Sequence, residues 1–499
     1  MVFPIVGGNQ DGTYQISNSL MFAEPDHAHL EKTYSGSSTS DRICTMSFWY
    51  KPGKNPISEA STIFSAIKSG SNEDTIEFTS NTNYNRVLSV SLNNTSDAAL
   101  MSGTSSYLVH FRDNAAWYHF VLAFDTTQGT NTNRLKAYVN GRQIDIAGNI
   151  SGGSPASPTY ISQNYDLGFL AETKHQIGMN AESSNSKALD GYLSEFHFID
   201  GQQLDSSYFG ETNDDGVWVP KQYTGTYGNY GFFMEFKQTG TSQNSSGMGA
   251  DTSGNDNHFS TSGLVALDVV TDTPTNNFCV MNPNDNYYAS GIFNEGNRNL
   301  TTNASAYSFN TSTFGVSAGK WYWEAKVGNV GTGSDNWMMG VSAYQSESAS
   351  SMPGATNYEV AYRNNGNYKT ADSNNTHGAS FSNDAIVMFA LDMDNKNIYF
   401  GHNGQWADGS GNTDEANPTS AVSLSSMLSS ARYGDTAFVI FGDGNGNGSS
   451  TPGEAKINFG QPAYSNSSDV ADANGHGKFE YQPPTGYLAL CTKNLAETG

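Results

Sequence analysis

Residues 117–124 read WYHFVLAF, a run that is apolar on both faces of an extended chain. Such a run is typical of a central strand in a β-sandwich, because both faces of that strand are covered. A loop rich in Thr, Gly and Asn follows at 125–133, and residues 135–139 then form a short strand pattern that ends at Asn140-Gly141. Asn-Gly favours the tight turn that joins two antiparallel strands. This stretch therefore predicts a three-stranded meander.

The same pattern recurs in the second half of the chain. Residues 386–392 (IVMFALD) form another doubly apolar run, residues 394–397 (DNKN) turn the chain, residues 398–400 (IYF) run back, and Asn403-Gly404 supplies a second tight turn. Hairpins of this kind occur in every antiparallel sheet, but the long separation of the two copies favours two sandwiches of similar design over one large one. We predict an all-β chain of two tandem antiparallel β-sandwiches.

The composition supports an acidic, strand-rich protein. The 499 residues include 52 Gly, 12% aromatic residues and only 14% charged residues, a mixture poor in helix formers and suited to strands and turns. The 48 acidic residues outnumber the 24 basic ones and give a net charge of −24, which argues against nucleic-acid binding because phosphates require clustered Lys and Arg. No apolar stretch approaches about 18 residues, so we expect no membrane insertion.

Two further features concern processing and redox chemistry. The first residues contain neither a cationic segment nor a long apolar run, so we expect no signal peptide and synthesis in a cytoplasm. Cys44, Cys279 and Cys491 lie far apart in sequence. An odd number of widely spaced cysteines supports neither a disulfide framework nor a zinc site, so we predict buried free thiols.

The first half resembles the laminin-G/pentraxin group of concanavalin-like lectin sandwiches. The resemblance rests on residues 47–52 (SFWYKP), on 117–119 (WYH) followed by the strand and turn at 135–141, and on 190–198 (DGYLSEFHF). It covers roughly residues 14–210 and implies a jelly-roll sandwich.

The second half resembles a SPRY domain over roughly residues 285–465. The residues that carry this resemblance are 319–327 (GKWYWEAKV), 340–342 (GVS), 384–406 and 455–461 (AKINFGQ). Residues 238–256 contain almost no apolar side chains and are typical of a linker. We therefore predict a concanavalin-like sandwich at 1–236, a linker with long loops at 237–284, a SPRY-like sandwich at 285–485 and a C-terminal tail at 486–499.

The order of the motifs along the whole chain is similar to that of virion proteins of tailed phages of marine bacteria and cyanobacteria. The connecting motifs are 198–204 (FIDGQQL), 209–211 (FGE), 217–221 (VWVPK), 251–257 (DTSGNDN), 272–277 (DTPTNN) and 488–495 (LALCTKNL). This resemblance implies a tail-fibre or appendage subunit at the virion surface, which contacts other virion proteins and a host glycan or outer-membrane component. Because phage appendages commonly have three-fold symmetry, a homotrimer is expected. The alternatives are a purely structural head-fibre or decoration protein, and a carbohydrate-active enzyme or its binding module.

The sequence motifs do not favour a catalytic function. Laminarinases share this sandwich and carry two Glu flanking an Asp at a spacing of two, whereas residues 195–200 (EFHFID) lack that spacing. Residues 315–319 (GVSAG) match the letters Gly-x-Ser-x-Gly, but they lead into the strand pattern at 319–327 instead of a helix, so they do not form a nucleophile elbow, and no His-Glu-x-x-His motif occurs. His119 and His197 lie within predicted strands, where a structural role is expected. We predict a non-enzymatic protein.

Calcium is the one metal for which the sequence offers ligands. Asp443, Asn445, Asn447 and Glu454 match the spacing of an EF-hand loop. The loop lies between predicted strands instead of helices, and Pro452 interrupts it, so a Gly/Asn hairpin is the favoured interpretation and calcium the alternative. Residues 251–257, with oxygen ligands from Asp251 and Asn255, form a second such loop. No other cofactor is expected.

Two segments rich in aromatic and amide side chains are candidates for glycan binding, because sugars stack on aromatic rings and hydrogen-bond to amides. The candidate residues at 357–369 and 222–230 are Tyr358, Tyr362, Asn364, Tyr368, Tyr223 and Tyr227. Ordinary loop and interface composition is the alternative interpretation. Trp321 and Trp323 alternate onto one strand face with Ala325 and Val327, which predicts a core position for both rings.

Overall fold

The computed structural model describes residues 14–53, 60–70, 72–81, 84–92, 95–101, 110–147, 150–151, 154–155, 160–182, 187–285, 291–303, 306–332, 337–345, 352–429, 434–444 and 451–498. The described residues up to Thr275 form one compact unit, and those from Asn276 onward form a second. Neither α-helix among these residues has the length and apolarity that crossing a bilayer requires.

The strands of the first unit are β1 (Ser19–Phe22), β2 (His29–Thr33), β3 (Ile43–Pro52), β4 (Ser61–Ser69), β5 (Asn72–Asn81), β6 (Tyr84–Leu92), β7 (Thr95–Met101), β8 (Tyr118–Asp125), β9 (Leu135–Val139), β10 (Arg142–Ala147), β11 (Ile150–Ser151), β12 (Ser154–Pro155), β13 (Lys174–Ile177), β14 (Gly191–Asp200), β15 (Gly210–Thr212), β16 (Trp218–Pro220), β17 (Phe232–Met234), β18 (Ser260–Ser262) and β19 (Val269–Val270). Short 3-10 turns lie at Glu24–Asp26, Asn131–Asn133, Gly168–Leu170, Ser206–Tyr208 and Ala266–Asp268.

One antiparallel sheet in the first unit folds back on itself to make a sandwich. Its strand order is β18-β2-β13-β4-β5-β6-β7-β10-β9-β8-β3-β14-β1-β19, with β17 also paired to β14. Strands β4 and β14 are far apart in this order, yet the rings of Phe64 and Phe196 lie 5.8 Å apart. The two halves of the sheet therefore face each other across an aromatic core that includes Phe48, Phe120 and Phe198.

The strands of the second unit are β20 (Ile292–Asn294), β21 (Asn299–Thr301), β22 (Ser308–Val316), β23 (Lys320–Asn329), β24 (Met338–Ser342), β25 (Glu359–Arg363), β26 (Asn367–Thr370), β27 (Ser373–Thr376), β28 (Ile386–Asp392), β29 (Asn397–His402), β30 (Gln405–Ala407), β31 (Thr413–Glu415), β32 (Val422–Ser423), β33 (Ala437–Asp443), β34 (Glu454–Asn458) and β35 (Leu488–Ala489). Its helices are α1 (Ser425–Ser429), α2 (Thr492–Thr498) and a 3-10 turn at Pro283–Asp285.

Two sheets form the sandwich of the second unit. One has the order β20-β21-β34-β23-β28-β29-β30-β31, with β32 on β29 and β35 parallel to β23, and the other has the order β22-β33-β24-β25-β26-β27. The ring of Tyr362 from β25 stacks on Phe400 from β29 at 4.7 Å, which joins the two layers. Trp321 and Trp323 are buried with Ala325 and Val327, as predicted.

The predicted fold class is confirmed: the described chain is nearly all β and consists of antiparallel sandwiches. Strands β8, β9 and β10 form the predicted meander, and β28, β29 and β30 form its counterpart. Asn140-Gly141 and Asn403-Gly404 all have positive φ angles, as tight hairpin turns require. The three cysteines are free and buried, also as predicted.

The predicted linker at 237–284 is wrong. Met248, Phe259 and Leu264 belong to the core of the first unit, and the boundary between units falls after Thr275. Few apolar side chains suffice here because hydrogen bonds to one buried carboxylate, Asp251, hold the surrounding turns. The predicted tail at 486–499 is likewise part of the second unit, since β35 pairs with β23 and Cys491 is fully buried.

Candidate ligand-binding cavity

A cavity of about 440 Å³ opens in the first unit where β14 changes its neighbour. On one side, β14 pairs with β1 as far as Leu193 and then with β17 from Phe196 onward, which leaves a gap between the two short strands. Residues just before β1 and residues around β17 close the sides of this gap. The cavity is lined by Tyr14, Gln15, Ser17, Glu195, His197, Gln222, Tyr223, Tyr227, Phe233, Glu235, Lys237, Thr252 and Ser253.

A β-bulge in β14 points two polar side chains into the cavity. The register with β3 shifts between Ser194 and His197, and Glu195 adopts φ +47°, a left-handed conformation that costs a non-glycine residue about 1–3 kcal/mol. Because of the extra residue, Leu193 and Phe196 both face the core although they lie three positions apart. Glu195 and His197 therefore both line the cavity on the opposite face.

Glu195 forms the polar floor of the cavity. Its side chain is only 7% exposed, its Oε1 accepts a hydrogen bond from the Tyr14 hydroxyl at 2.5 Å, and its Oε2 lies 3.8 Å from Nε2 of His197. Burial raises the pKa of Tyr14 above its usual range, and the nearby Glu195 charge raises it further. The Tyr14 hydroxyl therefore stays protonated at neutral pH and donates its hydrogen bond to Glu195.

His197 is held between aromatic rings. Its imidazole stacks on Phe233 at 4.1 Å with nearly parallel planes, and its Nδ1 lies 2.9 Å from the Tyr227 hydroxyl. Burial raises the pKa of Tyr227, and the neighbouring Tyr223 and Glu195 raise it further, so this phenol also stays protonated. The stacked rings fix the shape of one wall before any ligand arrives.

The remaining walls combine one further tyrosine with an ion pair. Tyr223 stacks on Phe209 at 5.1 Å and donates a hydrogen bond to the Thr226 carbonyl at 2.9 Å. On the other side, the ammonium of Lys237 pairs with the carboxylate of Glu235. The cavity thus offers aromatic faces, amide and hydroxyl groups and two carboxylates, of which one is already paired with a lysine.

The structure places the predicted site residues Tyr223 and Tyr227 on this cavity. Glu195 and Tyr14 were not among the predicted site residues, and His197 was expected to be purely structural. A sequence signal for Glu195 does exist, because the apolar residues Leu193, Phe196 and Phe198 follow spacings of three and two, which a regular strand cannot place on one face. His119 meets the structural expectation: it is buried, and its ring nitrogens lie within hydrogen-bond distance of Ser47 and Trp218.

The oxygen-rich loop at 251–257 packs behind the cavity, and the side chains of its two predicted calcium ligands form hydrogen bonds within the protein. The buried carboxylate of Asp251 accepts hydrogen bonds from the amides of Phe233, Ser253 and Asn257 and from the Ser253 hydroxyl. The Asn255 amide donates to the carbonyls of Gly228 and Gly231. The expected calcium ligands Asp251 and Asn255 are therefore engaged in fixing the segment that carries Tyr227 and Phe233.

Residues 320–417 match the SPRY domain family. The second unit contains a SPRY-like domain. Similar solved structures include the SPRY domain of human HERC1, with 17% identity over 32% of this chain and 86% of that chain and a TM-score of 0.24. They also include the heptameric SAP-like pentraxin from Limulus polyphemus, with 16% identity over 38% of this chain and 80% of that chain and a TM-score of 0.25. No curated protein matches the chain.

Residues 357–369 include a hairpin of the SPRY-like domain, formed by β25 and β26. Tyr362 is fully buried in β25 and stacked on Phe400, because the strand turns this side chain toward the opposite sheet. Tyr358 packs on Tyr344 at 4.2 Å, Tyr368 lies in β26 with its ring 5.6 Å from that of His377, and the Asn364 main chain bonds to Trp337 and Phe381. The prediction is therefore wrong for Tyr362, which is a core residue, whereas Tyr358, Asn364 and Tyr368 are half-buried around a hairpin of the sandwich and their role in glycan binding stays a prediction.

The ends of the predicted EF-hand loop are also embedded in the SPRY-like domain. Asp443 ends β33 and is buried, where its carboxylate accepts hydrogen bonds from the Thr302 hydroxyl and the Ser308 amide. Glu454 begins β34 and accepts a hydrogen bond from the Asn299 side chain at 3.0 Å. Asn445 and Asn447 lie outside the described residues. Within the described ranges, no three His, Cys, Asp or Glu side chains are grouped to hold a metal ion.

Proposed function

We propose that this protein is a glycan-binding component of a phage virion surface, a tail-fibre or appendage subunit that contacts a host-surface glycan. The observation that carries the glycan part is the cavity at the bulge of β14. Its walls bring aromatic rings, carboxylates, amides and hydroxyls together in a volume of about 440 Å³, which is within the range of small-ligand sites.

The chemistry of the cavity suits a sugar. Aromatic faces such as those of Tyr227 and Phe233 pack against the C–H face of a pyranose ring, while carboxylates and amides hydrogen-bond to its hydroxyls. The rings are stacked on each other and on His197, so little side-chain entropy is lost when a ligand binds. Hydrogen bonds from the Phe233 and Asn257 amides to the Asp251 carboxylate fix the main chain that carries these rings.

The virion part of the proposal rests on the order of motifs along the chain, which is similar to that of phage virion proteins. In this role the chain assembles as a homotrimer with other virion proteins and acts without catalysis. The net charge of −24 keeps such an exposed surface soluble. Light scattering on the purified chain tests the trimer, and imaging of particles labelled on this protein tests its location, with a head position favouring the decoration-protein alternative.

A steric plug tests the glycan site. Ser17 lies exposed on the rim of the cavity, so Ser17→Trp should fill the opening without disturbing the core, and Ser35→Trp places the same ring at an exposed position outside the cavity. On an array of host-surface polysaccharides, we expect the wild type and Ser35→Trp to bind alike and Ser17→Trp to lose at least tenfold in affinity.

Two results would contradict the proposal. Equal binding by both variants would place the glycan site elsewhere, and an absence of wild-type binding to any host polysaccharide would refute glycan recognition. Release of reducing sugar during incubation would instead favour the carbohydrate-active enzyme.

A further inference from the structure

The charge balance of the cavity is unequal. Among the described residues that line it, the charged side chains are Glu195, Glu235 and Lys237. Glu235 and Lys237 form an ion pair with each other at the more exposed side, with 24% and 48% of their side chains exposed. Glu195 is therefore the carboxylate that no lysine or arginine of the lining neutralises.

Glu195 also has unused hydrogen-bonding capacity. A carboxylate has about four acceptor positions. Among the described residues, the hydrogen bond that this carboxylate accepts comes from the Tyr14 hydroxyl, and Nε2 of His197 lies at 3.8 Å, beyond ordinary hydrogen-bond distance. A side chain that is 93% buried, strained at φ +47° and still open to a cavity is placed to receive a donor from a ligand.

The surroundings of this carboxylate favour a cationic donor. The aromatic rings of Tyr14, Tyr227 and Phe233 also line the cavity, and aromatic faces attract cations through their quadrupoles. A charge-assisted hydrogen bond to an ammonium group is roughly twice as strong as a neutral one. An acidic group at the same place would face a buried like charge.

We propose that the cavity selects a saccharide that carries a free primary amine, with Glu195 as the carboxylate that pairs with its ammonium group. This inference rests on the proposed glycan-binding function and names the chemical class that the site takes. A hexosamine unit has this chemistry, since it presents one ammonium, several hydroxyls and an apolar ring face. The neutral N-acetylated form of the same sugar lacks the charge, and a uronic acid reverses it.

Calorimetric titration of the full chain with three matched trisaccharides tests the inference. The probes are glucosamine trimer with free amines, its fully N-acetylated counterpart and a trimer of a uronic acid. At low ionic strength we expect the wild type to bind the free-amine trimer at least tenfold more tightly than the acetylated one, with the uronic acid weakest. Glu195→Gln should reduce this preference to less than threefold, while the control Glu211→Gln, which removes the same charge at an exposed position outside the cavity, should keep it.

The outcomes separate two kinds of failure. If the wild type binds the free-amine and acetylated trimers equally, the amine inference is overturned while glycan binding stands. If it binds none of the three and no host polysaccharide on the array, the proposed function fails as well. An amine preference that survives Glu195→Gln would remove Glu195 from its assigned role. If Glu195→Gln does not fold, Ser17→Trp decides the inference: it blocks the cavity without changing the net charge of the chain, so an amine preference that persists in it would come from the overall negative charge and would overturn the inference.

Discussion

Removal of Asp272 should destabilise the first unit strongly, because this residue neutralises a buried lysine. The Lys51 ammonium and the Asp272 carboxylate are 2.7 Å apart, and their side chains are 0% and 1% exposed. The same carboxylate accepts a hydrogen bond from the Trp117 indole at 3.1 Å. Asp272→Ala removes the carboxylate that pairs with this buried ammonium group, and breaking such a pair typically costs about 3–5 kcal/mol.

Scanning calorimetry of the full chain measures this loss. In a domain of this size, 1 kcal/mol corresponds to roughly 2–4 °C in Tm, so the transition of the first unit should fall by about 6–20 °C. The transition of the SPRY-like domain should stay in place and acts as an internal control. The double variant Lys51→Met/Asp272→Leu, which removes both charges, should recover most of the loss, since an apolar pair of similar size replaces a buried ion pair at little cost.

Three results would refute this reasoning. A shift below about 2 °C for Asp272→Ala would mean that the lysine finds another partner or is reached by water. A double variant as unstable as the single one would mean that packing, not charge, accounts for the loss. If the SPRY-like transition shifts instead, Asp272 belongs to the second unit, and the boundary between the units lies before this residue.

Three further predictions concern single side chains, all measured by calorimetry. Tyr227→Phe removes the hydroxyl that bonds to His197 and should cost about 1 kcal/mol, or roughly 2–4 °C, in the first transition, and an unchanged Tm would contradict that bond. Burial lowers the pKa of His119 to about 3, so between pH 6.5 and 3 the unfolded state binds a proton that the folded state does not. The free energy of unfolding should therefore fall by up to about 1.4 kcal/mol per pH unit on acidification through this range. His119→Leu should flatten that slope. Burial raises the pKa of Glu359 to about 7, although the Gly354 amide donates a hydrogen bond to its carboxylate. The folded state therefore holds the proton of Glu359 more tightly than the unfolded state, whose pKa is about 4.5. The stability that this proton contributes is present below pH 4.5 and is lost as pH rises through 7. Glu359→Gln should therefore gain stability relative to the wild type between pH 5 and 8, and a parallel pH profile for both proteins would contradict it.

The fold was predictable because its signals are local. Residues 117–124 and 386–392 are apolar on both faces, and each hairpin carries an Asn-Gly pair whose positive φ angles suit the turn. These patterns need no knowledge of distant residues. The linker prediction failed because composition does not show contacts with other segments. Residues 238–256 have little apolar surface, but the carboxylate of Asp251 bonds to the Phe233 amide 18 positions away, and β18 pairs with the distant strand β2.

The two segments predicted to bind glycans differ in where their tyrosine side chains lie in the structure. Composition alone treats residues 222–230 and 357–369 alike, since both are rich in Tyr, Gly and Asn. In the structure, Tyr362 is in a strand that turns it toward the opposite sheet, whereas Tyr227 lies in a segment that covers the outer face of β14. Sequence periodicity predicts the first case only if the segment is recognised as a strand, and it contains no information about the second.

The cavity itself depends on contacts that no local pattern contains. Tyr14 and Glu195 are 181 positions apart, and they meet only because β1 and β17 both pair with β14 and leave a gap between them. At that gap Glu195 has two unfavourable features: a positive φ angle in the interior of a strand, and a carboxylate that is buried beside aromatic rings. Glycine would relieve the backbone strain, and an apolar side chain would avoid the desolvation of a charge. A glutamate at this position is therefore unfavourable for folding alone, which is what the proposed pairing with an ammonium group of a ligand leads us to expect of a binding residue.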